Sequence, residues 1–176
     1  MSWSPWRAAL LKDAPLPERA RLTVDDLEVW NAKVIDFWAR GAAGWAPKEA
    51  TEILSRSRLD RQSSLVSCLG KWLDPPSEPE EGSLILAWAN LGSVVEGVLK
   101  FFLSVFAQNY AENPVTTKGG HVRHLDELTL DELRTFFKAR IWLESEKHWD
   151  GWINTVQQKR NAIHAYKHRD CGFRPS

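Results

Sequence analysis

Between Leu84 and Phe106 the chain carries only two charged residues, Glu96 and Lys100, in a run long enough to cross a bilayer. A charge at the centre of a spanning helix costs about 2.5–3.5 kcal/mol on insertion scales, and both charges sit inside this run together with Asn90. The run therefore reads as the central helix of a soluble bundle, which limits the fold to architectures in which other helices lie around it. Ser83 is placed to cap this helix, which should extend to about Asn109 and stop before Pro114.

The segments on either side repeat their apolar residues at helical spacing. Thr23 with Asp26 forms a capping arrangement ahead of Leu27, Trp30, Val34, Phe37 and Trp38, and Gly41 and Gly44 end that helix. Pro47 suits a first turn, and Leu65, Val66, Leu69, Trp72 and Leu73 continue an amphipathic pattern to Pro75, with a break expected near Ser55 to Ser57. An acidic, proline-rich loop spans 74–82, and a polar loop with Gly119 and Gly120 spans 112–128. Thr129 and Glu132 make a capping box that opens a helix carrying Leu130, Leu133, Phe137 and Ile141. A last helix should run from Lys147 to Arg169, with Gly172 as its stop. Asp25, Asp26, Asp131 and Glu132 read as first-turn charges. No stretch alternates at strand period and no internal repeat is visible, so the fold is expected to be all-α. The expected architecture is a single-domain bundle of about five helices over 23–172, behind an irregular arm, 1–22, whose Trp3 and Trp6 pack onto the body or a partner.

Lys plus Arg and Asp plus Glu each number 23, so the molecule has no overall field to draw in nucleic acid or an anionic membrane, and any such binding must be local. Cys68 and Cys171 lack metal-ligand spacing and fit a reducing compartment, with Cys68 as a small core residue. The first residues lack a basic flank followed by an apolar core, and the expected location is cytoplasmic. His121 with His124, or His164 with His168, is half a zinc site, so no metal and no other cofactor is expected. The ten tryptophans are most simply core and interface filler.

The last helix breaks the pattern. At about 100° per residue, Trp149, Trp152, Ile153, Val156 and Ile163 share a narrow face, and Arg160 falls near its middle. An arginine cannot shed its charge, so on an inward face it needs an anion, a carboxylate or a set of carbonyls opposite it. Glu96 is one available partner, although with Lys100 it also forms a favourable i, i+4 pair. A third role for Glu96 is to orient Arg160 or His164 from behind. Lysines and arginines near the end of a helix are also favoured by its dipole, which gives Lys167 and Arg169 an ordinary explanation.

Arg160-Asn161-Ala162-Ile163-His164 resembles the signature of the HEPN superfamily, and the segment from Leu86 to Gly97 resembles a core helix in some of its bacterial members. The family spaces its arginine and histidine further apart than the three intervening residues found here. The resemblance implies a helical bundle, a homodimer, and a metal-independent endoribonuclease of a toxin–antitoxin or phage-defence type system. It implies catalytic roles for Arg160, His164 and Asn161: His164 for the proton transfers, Arg160 for the phosphate, Asn161 for orientation. Glu96 would stand behind them. Lys159, Tyr166, Lys167 and Arg169 would contact RNA, the cations at phosphates and Tyr166 by stacking. An RNA substrate and an antitoxin or defence-system protein would be the partners, with no membrane. The alternative is a non-catalytic helical interaction or scaffold protein in which the Arg160 and His164 cluster is structural.

Overall fold

The computed structural model describes residues 16–40, 44, 46–74 and 80–164. Among them the fold is all-α, with seven α-helices: α1 Leu16–Ala39, α2 Lys48–Arg56, α3 Leu59–Leu69, α4 Glu81–Val105, α5 Ala107–Glu112, α6 Leu130–Arg140 and α7 His148–Arg160. Extended pairing among these residues is confined to one antiparallel bridge, Thr116 to Val122, which closes the turn at Gly120, where φ is +80°. Trp3, Trp6 and the centre of the 74–82 loop lie outside the described residues, as do Tyr166, Lys167, His168, Arg169, Cys171 and Gly172.

Seven helices stand where about five were expected because two of the expected helices are each divided. Ser57 takes extended backbone at ψ 145° and separates α2 from α3, at the place where the sequence pattern weakens. Phe106, at φ −104° and ψ 37°, turns the chain out of α4 and into the short α5. The capping box at the start of α6 forms as read: Thr129 Oγ1 accepts from the Glu132 amide at 3.3 Å, and Glu132 Oε2 accepts from the Thr129 amide at 2.8 Å.

Several ends differ from the sequence reading. α1 begins at Leu16, so residues 16–22 are helical, not part of an irregular arm. Thr23 is therefore internal, and its hydroxyl donates to the Arg19 carbonyl at 2.8 Å; Asp25 and Asp26 are internal too. Pro17 accommodates this because a helix's first turn needs no amide donor there. α4 begins at Glu81 with Glu80 as its N-cap, which places Ser83 in the first turn. α7 ends at Arg160, and Asn161–Ile163 form a 3-10 turn.

α4 lies between two apolar clusters. Toward α6 and α7, Leu99 and Leu103 meet Leu130, Leu133, Phe137 and Ile153. Toward α1 and α2, Phe101 and Val105 pack against Trp38, Ala50 and Leu54. Asn90, buried on the α3 side, donates to the Leu65 carbonyl at 2.9 Å and accepts from Trp72 Nε1 at 2.8 Å, which satisfies the polar group that interrupts the apolar run. Gly97 leaves room for Gln62, whose Nε2 donates to the Val94 carbonyl at 3.0 Å. Cys68 is half-buried, not a core residue. On α7, Ile153 and Val156 are buried as expected, but Trp149, Trp152 and Ile163 are exposed, the two indoles meeting edge to face at 5.7 Å.

Candidate functional site

The site is built where α7 crosses α4 at Gly92. A Cβ on Gly92 would lie 2.6 Å from Arg160 Cδ and 3.2 Å from its Cβ and Cγ, so only glycine lets the arginine stem lie flat on α4. The guanidinium then reaches one turn along α4 to Glu96, with Arg160 Nη1 donating to Glu96 Oε2 at 2.5 Å. The other carboxylate oxygen is taken by Lys100 Nζ at 3.0 Å, and the same ammonium donates to the Asp126 carbonyl at 2.9 Å. Both sequence readings of Glu96 hold at once: it pairs with Lys100 along its own helix and with Arg160 across the bundle. Burial pushes the Glu96 carboxyl up, and hydrogen bonds from Arg160 and Lys100 together outweigh that, holding it below its ordinary range.

A cleft of about 510 Å³ opens beside this triad, between α4, α7 and the segment from Asp126 to Asp131. Arg160 and Asn161 both line it, together with Glu96 and Lys100. Its charge is the reverse of what a phosphate site needs: Glu96, Asp126, Glu127 and Asp131 stand against Lys100 and Arg160 alone. Gln157, which also lines it, has a buried Oε1 with no hydrogen-bond partner.

His164 does not join the cleft lining. An α-helical turn would have placed it on the Arg160 face, but the 3-10 turn at Asn161–Ile163 changes the rotation, and His164 itself takes φ −85° and ψ 90° and is exposed. Asn161 is the C-cap of α7, its amide donating to Gln157 and Lys159 carbonyls, so its backbone is committed to ending the helix. Lys159 is half-buried, and Tyr166, Lys167 and Arg169 lie outside the described residues. Among the described residues no group of three or more His, Cys, Asp or Glu is arranged to hold a metal.

No family model, curated protein or solved structure matches the chain.

Three participants escaped the sequence reading. Gly92 was visible as a helix-interior glycine, a signal for close approach, but its partner was not. Asp126 and Gln157 had no signal, because a loop carbonyl and a surface-patterned glutamine acquire their places only through the tertiary arrangement.

Proposed function

We propose that this chain is a non-catalytic helical interaction protein, cytoplasmic, in which Arg160 is a structural residue. The observation that carries the reading is the apolar surface that α4 leaves exposed among the described residues. Val98 and Phe102 are exposed on it, one turn apart, and Phe106, the residue that caps the helix, is exposed beside Phe102 with the rings 4.8 Å apart. Contiguous apolar surface of this kind marks an interaction site on a folded domain. Three features of the cleft support the same reading: the Arg160 charge is met by Glu96, carboxylates outnumber cations in the lining, and His164 stands apart.

A HEPN-like, metal-independent endoribonuclease of a toxin–antitoxin or defence system, acting as a homodimer and held by an antitoxin or other partner protein, is the second reading. The observation favouring it is that Arg160 and Asn161 line an open cleft rather than a sealed contact. In that reading an RNA phosphate displaces Glu96 from Arg160, and His164 is brought in from the chain end or from a second subunit. Incubating end-labelled RNA with the protein in EDTA separates the two. Cleavage that disappears in both Arg160→Ala and His164→Ala establishes the nuclease; no cleavage by wild type, with Arg160→Ala unfolding at lower temperature, supports the interaction protein.

A further inference from the structure

Near the start of α4 lies a groove of about 290 Å³ whose lining is apolar: Val24 of α1, Leu69 and Trp72 at the end of α3 and the turn after it, and Ala87, Trp88 and Leu91 of α4. Val24 is buried and the others are half-buried. The walls are fixed from outside the groove. Trp72 Nε1 donates to Asn90 Oδ1 at 2.8 Å, and Arg21 of α1 pairs with Asp74 just beyond Trp72, which ties α1 to that turn. An apolar side chain entering such a recess gains about 25 cal/mol for each Å² it removes from water. The linker 75–79 beside it reads Pro-Pro-Ser-Glu-Pro and brings no large apolar side chain of its own.

Residues 1–15 precede the described fold and join it at Leu16, the first residue of α1. Val24 stands about 12 Å along the helix from that point, at 1.5 Å per residue. Leu10 and Leu11, five or six residues before Leu16, reach about 16–22 Å from it when the chain is extended, and Trp6 reaches further, so all three can arrive at the groove. The segment carries Trp3, Trp6, Leu10 and Leu11, with Arg7 and Lys12 against the single acid Asp13. The groove is flanked by the opposite sign. Glu28 lies one turn on from Val24, and Glu80 and Glu81 lie one turn before Leu84, which also lines the groove; with Asp74 they stand against Arg21 and Lys71.

We propose that residues 1–15 dock in this groove of their own chain, seating the apolar side chains of Trp6, Leu10 and Leu11 over Val24, Trp72 and Trp88. Tethering favours the docked state. A short link holds the segment at about millimolar effective concentration, so contacts that would bind at about 100 μM between separate chains keep the groove filled about nine-tenths of the time. The inference is independent of the reading of Arg160, because the groove and the cleft share no lining residue. It also leaves Val98, Phe102 and Phe106, which do not line the groove, to the partner that the interaction reading requires.

Thiol reactivity in the full chain tests the inference. With Cys68 and Cys171 replaced by serine, Ala87→Cys puts a single thiol in the groove, and Leu86→Cys, at an outward position 54% exposed, serves as its control. Adding Leu10→Ser and Leu11→Ser, with the fold checked by circular dichroism, should speed the reaction of the Ala87→Cys thiol with N-ethylmaleimide by about tenfold, the factor set by nine-tenths occupancy, and leave the Leu86→Cys thiol unchanged. In a second measurement that keeps the segment apolar, a bismaleimide should join Leu10→Cys to Ala87→Cys within one chain. Equal rates with and without the two serines, or an equal rise at both thiols, overturns the proposal. So does linkage that forms only between chains, which would seat the segment on another copy.

Discussion

Removing the Arg160 side chain is the perturbation with the most distinct consequences. An exposed ion pair contributes up to about 1 kcal/mol, and breaking a fully buried one costs about 3–5 kcal/mol. With side chains 32% and 21% exposed, the Arg160–Glu96 pair belongs between these limits, at about 2 kcal/mol. The arginine stem over Gly92 adds about 1 kcal/mol for its partly buried methylenes. Lys100, which stays 3.0 Å from Glu96, offsets about as much by keeping the carboxylate paired. Arg160→Ala is therefore expected to destabilise the fold by about 2 kcal/mol, lowering Tm by about 4–8 °C in a chain of this size. Thermal unfolding of Arg160→Ala, Glu96→Gln and the double variant near neutral pH measures the loss, and the double variant should lose less than the sum of the two by about 1–2 kcal/mol. A melting temperature within about 1 °C of wild type, or strictly additive losses, would refute the assignment of Arg160 as a structural cation. A stable Arg160→Ala is what a preorganised catalytic arginine would give instead.

Three further outcomes follow from the same contacts. Because the Glu96 carboxyl is held below its ordinary range in the folded chain, the stability it contributes is present above the unfolded value and is lost as pH falls through the folded one. The difference between wild type and Glu96→Gln in denaturant unfolding should therefore shrink from pH 7 to about pH 3; a constant difference would contradict the ion triad. Gly92→Ala places a methyl where the Arg160 stem lies and is expected to cost about 1–3 kcal/mol and to abolish the coupling between Arg160 and Glu96, measured by the same double-variant cycle. Asn90→Leu leaves the Trp72 indole N–H without its acceptor and should cost about 1–3 kcal/mol in urea unfolding, with the slope unchanged.

Features set within a few residues were legible before the fold was known. The Thr129–Glu132 box and the interruption near Ser57 both formed, because a cap or a break is settled by its neighbours. The Arg160–Glu96 pair was legible for a different reason: an inward arginine needs an anion, and the adjacent central helix carries a single carboxylate beyond its first turn. Where several signals compete, the sequence was less informative. Thr23 resembles a cap because its hydroxyl can bond locally, yet that bond runs back to Arg19 inside the helix. Helical spacing continues through Ile163, but it does not show that the last turn tightens to 3-10 geometry and carries His164 off the face. Half of the cleft's acidic lining, Asp126 and Glu127, comes from the loop before α6, whose position depends on Lys100 gripping the Asp126 carbonyl, a contact between residues with no periodic relation.

The arrangement of α4 departs in part from the ordinary rule for an amphipathic helix. Such a helix turns its apolar stripe inward and its charges to water; α4 buries Val94, Leu99 and Leu103, but it also turns Glu96 and Lys100 toward α7 and the loop, and leaves Val98, Phe102 and the capping Phe106 exposed. The inward charges are tolerated because each carboxylate oxygen has its own cation and the lysine also reaches a carbonyl, so no charge is stranded. The outward hydrophobes are only partly covered by the described residues, Phe102 meeting the Phe137 ring at 5.4 Å, and covering them further is favourable by about 25 cal/mol for each Å² removed from water. The two sides should therefore respond differently: substitutions in the triad change the stability of the chain, whereas Val98→Glu, at a residue exposed among the described residues, should move the melting temperature by less than about 2 °C. A Val98→Glu chain whose melting temperature fell as far as that of Arg160→Ala would mean that this side of α4 belongs to the core of the chain.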